Sequence, residues 1–283
     1  MAGVAELICH PVKGCAGTSA TEAFLTPAGL AHDRSFMVVG EDGTYRTQRR
    51  HPRLALVRPA VSPDGTRLTL APADGRDRFG TVRLDVTTTA PRRDVDLFGT
   101  AFRGIDQGGE VAAWLSEFLG IPSRLVRVPS RASPALLDRR LAERGTPPLP
   151  VNRFRPNIVV VGSHGHDCEG HDCEGHDCEG HDCEGHGDDW AAVPHAEDRA
   201  RRLTIGADES GHAKLTVRCA VTLVEQETGA RRGPEPLRTL AGYRRAASGG
   251  VVFGAKFSVL TPGKLSVGDE VAVREWGDPE RVS

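Results

Sequence analysis

The chain reads Gly29-Leu30-Ala31-His32-Asp33-Arg34-Ser35-Phe36-Met37-Val38-Val39 and continues, after one glycine, with Glu41-Asp42-Gly43. The apolar run 36–39 favours a strand, and the Gly- and Asp-containing segments on either side favour turns. The first hundred residues repeat this alternation of short strand and turn. Its other β-like runs are 4–8, 54–57, 68–70 and 82–86. Strands at this spacing with few helices predict a small barrel or sandwich.

Helical spacing appears next. Apolar residues recur every three or four positions over 110–119, and Gly120 ends the run, which predicts a helix whose apolar stripe is core. A second, polar helix is predicted over 134–143, followed by an extended Pro-rich connector at 147–150.

The second half returns to strands. The predicted strands are 158–161, 203–205, 215–217, 221–224, 257–260 and 271–273, with a short helix at 237–245. The chain contains no Gly-rich loop of the P-loop or Rossmann kind. The predicted fold class is therefore mainly β with helical insertions (α+β).

Composition excludes several classes of protein. The 283 residues are 39% apolar and 26% charged, as in ordinary soluble proteins. The N-terminal residues do not resemble a signal peptide, and the longest apolar runs are too short to cross a bilayer. We therefore expect a cytoplasmic protein that does not associate with membranes.

The net charge of −2 hides an asymmetry. Residues 163–189 hold ten acidic side chains and no Lys or Arg, so the rest of the chain has 36 basic against 28 acidic side chains. A basic body suits an anionic ligand such as a phosphate. Aromatic residues are 5% of the chain and do not interleave with basic ones, so nucleic-acid binding is not expected.

A perfect repeat occupies this acidic stretch. The unit His166-Asp167-Cys168-Glu169-Gly170 restarts at His171, His176 and His181, and His186 begins an incomplete copy. Its five-residue period and its glycines fit neither helix nor strand. One interpretation is a surface loop expanded by copying, and the other is zinc or copper capture by His and Cys. The metal ligands would be His166, Cys168, His171, Cys173, His176, Cys178, His181 and Cys183.

Several motifs, taken in order, carry a resemblance to one family. The first three are 10–15 (His-Pro-Val-Lys-Gly-Cys), 29–39, and Thr47-Gln48-Arg49 with Pro52-Arg53. The later ones are 152–160 (Asn-Arg-Phe-Arg-Pro-Asn-Ile-Val-Val), Ala196-Glu197-Asp198, Arg218-Cys219, Thr228-Gly229 and Val267-Gly268-Asp269. Together they resemble a MOSC domain preceded by its MOSC-associated N-terminal β-barrel domain, as in the mitochondrial amidoxime-reducing components and their bacterial counterparts.

The resemblance implies two β-barrel-like domains that hold a molybdenum cofactor of the molybdopterin type. It implies that Lys13 and Arg34 bind the phosphate end, that Arg155 and Asn157 contact the pterin, and that Cys219 ligates molybdenum as the catalytic thiolate. Arg218 is expected beside the cofactor, where its charge would favour that thiolate. The resemblance further implies an association with pyridoxal phosphate, on the basis of the family alone.

Residue chemistry supports these roles but does not require them. A thiolate is a suitable ligand for a redox metal, and Lys and Arg make charge-assisted hydrogen bonds to phosphate. Without the resemblance, Cys219 reads as a packed core residue and Lys13 and Arg34 as surface charges. Cys9 and Cys15 read as structural, and isolated cysteines do not suggest a disulfide framework.

The domain boundaries implied are 1–120 for the N-terminal domain with its trailing helix and 121–275 for the MOSC domain, with the repeat loop at 163–189 and a tail at 276–283. One departure from the family pattern matters. Family members have some tens of residues after the strand that ends near Val128, including a strand that lines the metal site. Here that connection is the short segment 128–133.

The resemblance implies reduction of N-hydroxylated compounds (N–OH to N–H). No ferredoxin-like cysteine spacing follows the MOSC motifs, so electrons are expected from a separate reductase or iron–sulfur protein. One alternative is a non-catalytic molybdenum-cofactor carrier or sulfur carrier that uses Cys219. Another is a His/Cys metal buffer built from the repeat.

Overall fold

A computed structural model describes residues 1–73, 79–97, 100–127, 151–162, 190–193, 195–247, 249–278 and 282. The strands of these ranges are β1 (Ala2–Cys9), β2 (Val12–Lys13), β3 (Thr18–Ala20), β4 (Glu22–Thr26), β5 (Gly29–Leu30), β6 (Phe36–Val39), β7 (Val57–Val61), β8 (Arg67–Pro72), β9 (Val82–Asp85), β10 (Arg92–Leu97), β11 (Thr100–Asp106), β12 (Arg124–Arg127), β13 (Ile158–Gly162), β14 (Ala200–Ile205), β15 (Asp208–Arg218), β16 (Val251–Thr261), β17 (Gly263–Ser266) and β18 (Val271–Trp276). The helices are α1 (Gly109–Leu119) and α2 (Leu237–Leu240), with 3-10 turns at Pro52–Leu56, Val151–Phe154, Trp190–Ala192, Ala196–Asp198 and Ala220–Leu223.

The predicted mainly β class is confirmed, but the expected pair of closed barrels is not seen. Within the described ranges the strands form open sheets ordered β13-β1-β3, β10-β11-β12-β6-β2, β16-β15-β14-β18, β17-β4-β5 and β7-β8-β9. Irregular pairing is one physical reason. Register shifts interrupt the β1–β13 and β15–β16 ladders, and such bulges bend a strand and break its pairing.

Early and late strands share sheets. β1 runs antiparallel to β13, with Leu7 opposite Ile158, and β4 runs antiparallel to β17, with Glu22 opposite Ser266. β12 pairs with both β6 and β11. β1 and β4 are therefore held by strands from much later in the chain. The boundary expected at residue 120 stays a prediction.

The helix expected at 110–119 is confirmed as α1. Val111, Leu115 and Phe118 are buried and pack in one cluster with Phe36 and Leu54. Gly120 ends the helix in the left-handed conformation (φ 72°), which glycine adopts without steric cost. As predicted, the apolar stripe of α1 is core.

A second cluster joins the two halves of the chain. It includes Leu7, Leu25, Leu203, Leu265 and Val271, which come from the beginning and the end of the sequence. A smaller cluster packs Phe154 and Phe253 with Leu240 of α2. These two clusters flank the candidate site described below.

Two predicted strands are wrong. Residues 54–57 mostly form the 3-10 turn Pro52–Leu56, because Pro52 at its first position presets a helical φ. Residues 221–224 largely form the turn Ala220–Leu223, where the Cys219 carbonyl accepts hydrogen bonds from the Thr222 amide and hydroxyl. The helix predicted at 237–245 is shortened to α2.

The predicted helix at 134–143 and its connector lie outside the described residues. No helix among the described residues combines the length and apolarity needed to cross a membrane.

Candidate cofactor site

The site lies at the junction of β1 and β13. The Ile8 amide donates to the Asn157 carbonyl at 2.7 Å, so the end of β1 meets the segment that enters β13. The Arg34 amide donates to the His10 carbonyl, also at 2.7 Å. Backbone pairing thus brings three of the sequence motifs together.

Asp33, Arg34 and Asn157 form a buried hydrogen-bonded triad. Arg34 Nη1 donates to the Asp33 carboxylate and, at 3.0 Å, to Asn157 Oδ1. Asn157 Nδ2 donates to Asp33 Oδ1 and to the Ile8 carbonyl, each at 2.8 Å. The Asn157 amide is therefore engaged with the protein on both of its ends, and it fixes the Arg34 guanidinium. Its expected contact with a pterin stays a prediction.

Both arginines of this junction have left-handed backbones. Arg34 has φ 48° and Arg155 has φ 54°. A non-glycine residue in this region costs roughly 1–3 kcal/mol and persists only where its surroundings impose it. The imposed contact here is the donation from Arg34 Nη2 to the Arg155 carbonyl at 3.1 Å.

Arg155 has a hydrogen-bond donor to spare. Its Nη1 donates to the Cys15 carbonyl and reaches Gln226 Oε1 at 3.5 Å. Its Nη2 is buried and has no partner within the described ranges. Burial, followed by the charge of Arg34, lowers the Arg155 pKa to about 10. An orphaned donor on a buried cation is a suitable contact for an anionic oxygen.

Lys13 adds a third cation. It lies half-buried on β2, with its Nζ 5.7 Å from the centre of the Tyr45 ring. Burial and then the charges of Arg34, Arg155 and Lys256 lower its pKa to about 8, and Asp33 opposes this. The charged form of Lys13 is therefore disfavoured by the positive charges around it, and a bound anion would offset this repulsion. Reading Lys13 and Arg34 as plain surface charges is wrong, because Arg34 is buried and Lys13 is half-buried.

Arg218 and Cys219 lie at the end of β15. Arg218 donates from Nε to the Phe253 carbonyl at 2.7 Å and from Nη1 to the Phe154 carbonyl at 2.9 Å. Burial lowers its pKa to about 9, Cys219 and Glu197 oppose this shift, and Arg34 adds to it. The Cys219 side chain is an exposed free thiol, so its reading as a core residue is wrong.

A buried arginine holds the turn Ala220–Leu223, which follows Cys219. Arg153, 2% exposed, donates from Nε to the Thr222 carbonyl at 2.8 Å. The pKa of Tyr45 is affected both by Cys219, which precedes this turn, and by the cations. Burial raises the Tyr45 pKa to about 12, with smaller effects of Arg155, Cys15, Arg34 and Cys219. Arg218, the residue before Cys219, donates to the carbonyl of Phe154, the residue before Arg155, so the thiol-bearing segment lies beside the cations.

Sequence reasoning missed the amide pair Gln48–Gln226. Gln226 Nε2 donates to Gln48 Oε1 at 3.0 Å, and Gln48 Nε2 donates to Gln226 Oε1 at 3.2 Å and to the Gly14 carbonyl at 2.7 Å. The pair lies between the Lys13 loop and Arg155. Gln48 belongs to a quoted motif, but Gln226 has no local pattern that marks it.

His10 and the two remaining cysteines serve the structure. His10 Nε2 lies 2.9 Å from the Pro156 carbonyl, and burial holds the His10 pKa well below its usual value, so the ring is neutral. Burial raises the pKa of Cys9 and of Cys15 to about 12, which keeps both thiols protonated. Their structural interpretation agrees with these positions.

A cavity of about 370 Å³ adjoins the triad at Asp33 and Asn157. Its wall is mostly apolar, with Glu197 and Lys256 among its polar residues. Lys13, Arg34, Arg155, Arg218 and Cys219 do not line it. Glu197 is therefore a further candidate residue, one that the Ala196-Glu197-Asp198 motif contained without a role.

These residues fit an anionic cofactor that binds a soft metal. The Arg155 donor, which is without a partner within the described ranges, and the neighbouring cations Lys13 and Arg34 suit phosphate oxygens, and an exposed thiol suits a redox metal. Among the described residues there is no cluster of His, Cys, Asp and Glu able to hold a metal ion by itself. The repeat with its eight candidate zinc or copper ligands lies outside the described residues.

The β-rich fold and the cationic, thiol-bearing junction define a class of protein that two family models recognise. The model for the MOSC N-terminal beta barrel domain matches residues 1–122, and the model for the MOSC domain matches residues 186–272. The chain belongs to the MOSC family, with the amidoxime-reducing components among its relatives.

Three curated proteins illustrate what this chain is similar to. Mitochondrial amidoxime-reducing component 1 of Mus musculus is 30% identical, covering 95% of this chain and 81% of its own length. The Homo sapiens protein of that name is 28% identical, with 95% and 82% covered. Molybdenum cofactor sulfurase of Danio rerio is 32% identical over 88% of this chain but only 31% of its own length. These relatives support a role connected with the molybdenum cofactor and give no support to pyridoxal phosphate.

A solution structure of a Bordetella bronchiseptica protein is 20% identical and covers 37% of this chain and 84% of that chain. The TM-score of this match is 0.28.

Proposed function

We propose that the chain binds a molybdenum cofactor at the β1–β13 junction and reduces N-hydroxylated compounds to the corresponding N–H compounds. The observation that carries this proposal is the buried Nη2 of Arg155, which has no partner among the residues that the structure describes and lies beside Lys13 and Arg34, near the exposed Cys219 thiol. The amidoxime-reducing relatives support the choice of reaction.

In this proposal Lys13, Arg34 and Arg155 hold the anionic end of the cofactor. Arg34 is oriented for this by Asp33 and Asn157, which use their own polar atoms to fix it. Cys219 provides the thiolate ligand to the metal. A guanidinium held in one geometry keeps the bidentate contacts that a mobile side chain would lose.

The chemistry divides between cofactor and protein. The bound cofactor supplies the two-electron reduction, which consumes two electrons and two protons and yields an N–H group and water. The protein binds, orients and shields the reacting groups. We propose that a separate reductase or iron–sulfur protein provides the electrons and that the protein acts in the cytoplasm.

The first test is the molybdenum content of protein produced in a cofactor-competent host. We expect near-stoichiometric molybdenum in the wild type and loss of most of it in Cys219→Ala. Cys9→Ala is the matched control, because the Cys9 thiol is partly buried and bonds to the Ala31 carbonyl instead of being exposed like the Cys219 thiol. Wild-type protein without molybdenum would contradict the proposal.

The second test separates an enzyme from a carrier. A chemically reduced dye supplies electrons, and loss of an N-hydroxylated substrate is measured. The rival function is a non-catalytic carrier of cofactor or sulfur that uses Cys219. Exposure of that thiol and the similarity to molybdenum cofactor sulfurase favour this rival. Protein that is loaded with molybdenum but turns over no N-hydroxylated substrate would support the carrier.

A further inference from the structure

The cavity beside the triad has a mostly apolar wall that includes several polar side chains. The apolar wall comes from both halves of the chain and includes Leu25, Ile158, Val160, Leu203, Phe257 and Val259. Asp33, Asn157 and Glu197 are among the polar residues. Its volume of about 370 Å³ lies in the range of small-molecule pockets, roughly 300–1,000 Å³.

Glu197 presents an unused acceptor in this cavity. Its Oε1 is buried and has no hydrogen-bond partner among the described residues. The neighbouring carboxylate Asp198 is fully used by Arg244, through contacts of 2.5 and 3.0 Å. A buried carboxyl oxygen without a donor is costly, so an unmet donor is expected at Glu197.

The position of Glu197 relates the cavity to the thiol. The His195 ring, just before the turn that carries Glu197, lies 6.1 Å from the Phe253 ring, and the Phe253 carbonyl accepts a hydrogen bond from Arg218, the residue before Cys219. The cavity also adjoins the site through Asn157, which lines the one and contacts Arg34 of the other.

We propose that this cavity holds the apolar body of the substrate and that Glu197 accepts a hydrogen bond from its N–OH head. The inference rests on the proposed function for the N–OH chemistry. It selects a substrate class: N-hydroxylated compounds that carry an alkyl or aryl group of about six carbons, in preference to hydroxylamine or its methyl derivative. Glu197 is then a specificity-determining residue.

Calorimetric binding of N-alkylhydroxylamines tests this without turnover. The probes are the methyl, butyl and hexyl compounds. Burial of each methylene contributes roughly 0.8 kcal/mol, so we expect affinity to rise about three- to four-fold per methylene. A flat series would overturn the proposal.

Two variant pairs assign the two ends of the probe. Val160→Phe fills the cavity and should remove the chain-length dependence, whereas Val161→Phe, on the neighbouring and 41% exposed position of β13, should keep it. Glu197→Met should weaken all probes about ten-fold and leave the chain-length dependence intact, whereas Glu117→Gln on the exposed face of α1 should change nothing. Equal effects within either pair would overturn the assignment.

The cavity proposal and the proposed function can fail independently of each other in this experiment. The series is measured by binding, on protein whose molybdenum content is known. A chain-length dependence without molybdenum would support the cavity and sink the reductase. Full molybdenum loading with no such dependence would sink the cavity and spare the reductase.

Discussion

Arg34 Nη1 donates a hydrogen bond to Asn157 Oδ1 at 3.0 Å, and the two residues are 123 positions apart in the sequence. The same asparagine donates to Asp33 and to the Ile8 carbonyl. One amide group thus joins the end of β1, the Asp33-Arg34 turn and the entry to β13. We therefore expect removal of this amide to affect the stability of the fold first and the chemistry of the site second.

Asn157→Ala should lower the free energy of unfolding by about 2–4 kcal/mol, because it leaves buried polar partners without hydrogen bonds. Asn152→Ala is the matched control from the same motif. Asn152 is half-buried and donates to Glu227 near the surface, so its loss should cost less than about 1 kcal/mol. Urea denaturation measures both, and equal costs would contradict the role assigned to Asn157.

Anion binding should be accompanied by proton uptake near pH 8. Lys13 has a pKa of about 8 in the free protein, so a large fraction is neutral at that pH. A bound anion favours the charged form and raises this pKa. Titration of pyrophosphate by calorimetry, in buffers of different ionisation enthalpy, should show uptake of up to about half a proton. Lys13→Met should abolish the uptake, and uptake that persists in this variant would assign it to another group.

Among the cysteines that the structure describes, Cys219 should react first with a thiol reagent. Its side chain is exposed, whereas Cys15 is fully buried and Cys9 is partly buried with a pKa of about 12. Peptide mapping after a short alkylation should find the label on Cys219 and leave Cys9 and Cys15 unmodified. Rapid labelling of Cys15 would mean that the Arg155 contact to its carbonyl is not maintained in solution.

The amides of Gln48 and Gln226 should be energetically coupled. They exchange two hydrogen bonds of 3.0 and 3.2 Å in a buried setting. A double-mutant cycle with Gln48→Ala and Gln226→Ala should give a coupling energy of about 1 kcal/mol or more. Thr228→Ala, which removes an exposed contact to Glu225 from the same loop, should show no coupling to Gln48→Ala.

Glu197 should make stability depend on pH. Burial, reinforced by Asp198, raises its pKa from 4.5 to about 7 in the folded protein. Between these values the folded protein keeps a proton that the unfolded chain has released, so stability falls as the pH rises through this window.

Glu197→Gln removes this effect. Relative to wild type, we expect the variant to be about 1–3 kcal/mol more stable at pH 8 and nearly equal at pH 4. Denaturant titrations at both values measure the difference. A difference that does not depend on pH would show that Glu197 is not the responsible group.

Sequence patterns located the elements that local chemistry determines. The apolar run 36–39 coincides with β6, and the helical spacing of 110–119 coincides with α1. The short runs 54–57, all apolar, and 221–224, apolar except for Thr222, were ambiguous, since such a run fits a strand and a buried turn equally well. The contacts of Pro52 and of the Cys219 carbonyl decided them.

The sequence motifs named residues that the structure brings together, but they did not predict the contacts between them. Motif order pointed to Arg34, Arg155 and Asn157, and the structure brings them together. The partnership of Gln48 with Gln226 depends on a separation of 178 residues, and no local pattern reports it. The same holds for the cavity, whose wall combines side chains from both halves of the chain.

The pairing of β4 with β17 has a consequence for biosynthesis. Glu22 and Lys264, which form an ion pair between these two strands, are 242 residues apart. At about 5–20 residues per second, β4 waits roughly ten seconds or longer for its partner strand to be translated. During that interval the backbone edge of β4 is open to other chains. We therefore expect the nascent chain to need protection by a chaperone, and the cofactor to enter only after translation is nearly complete.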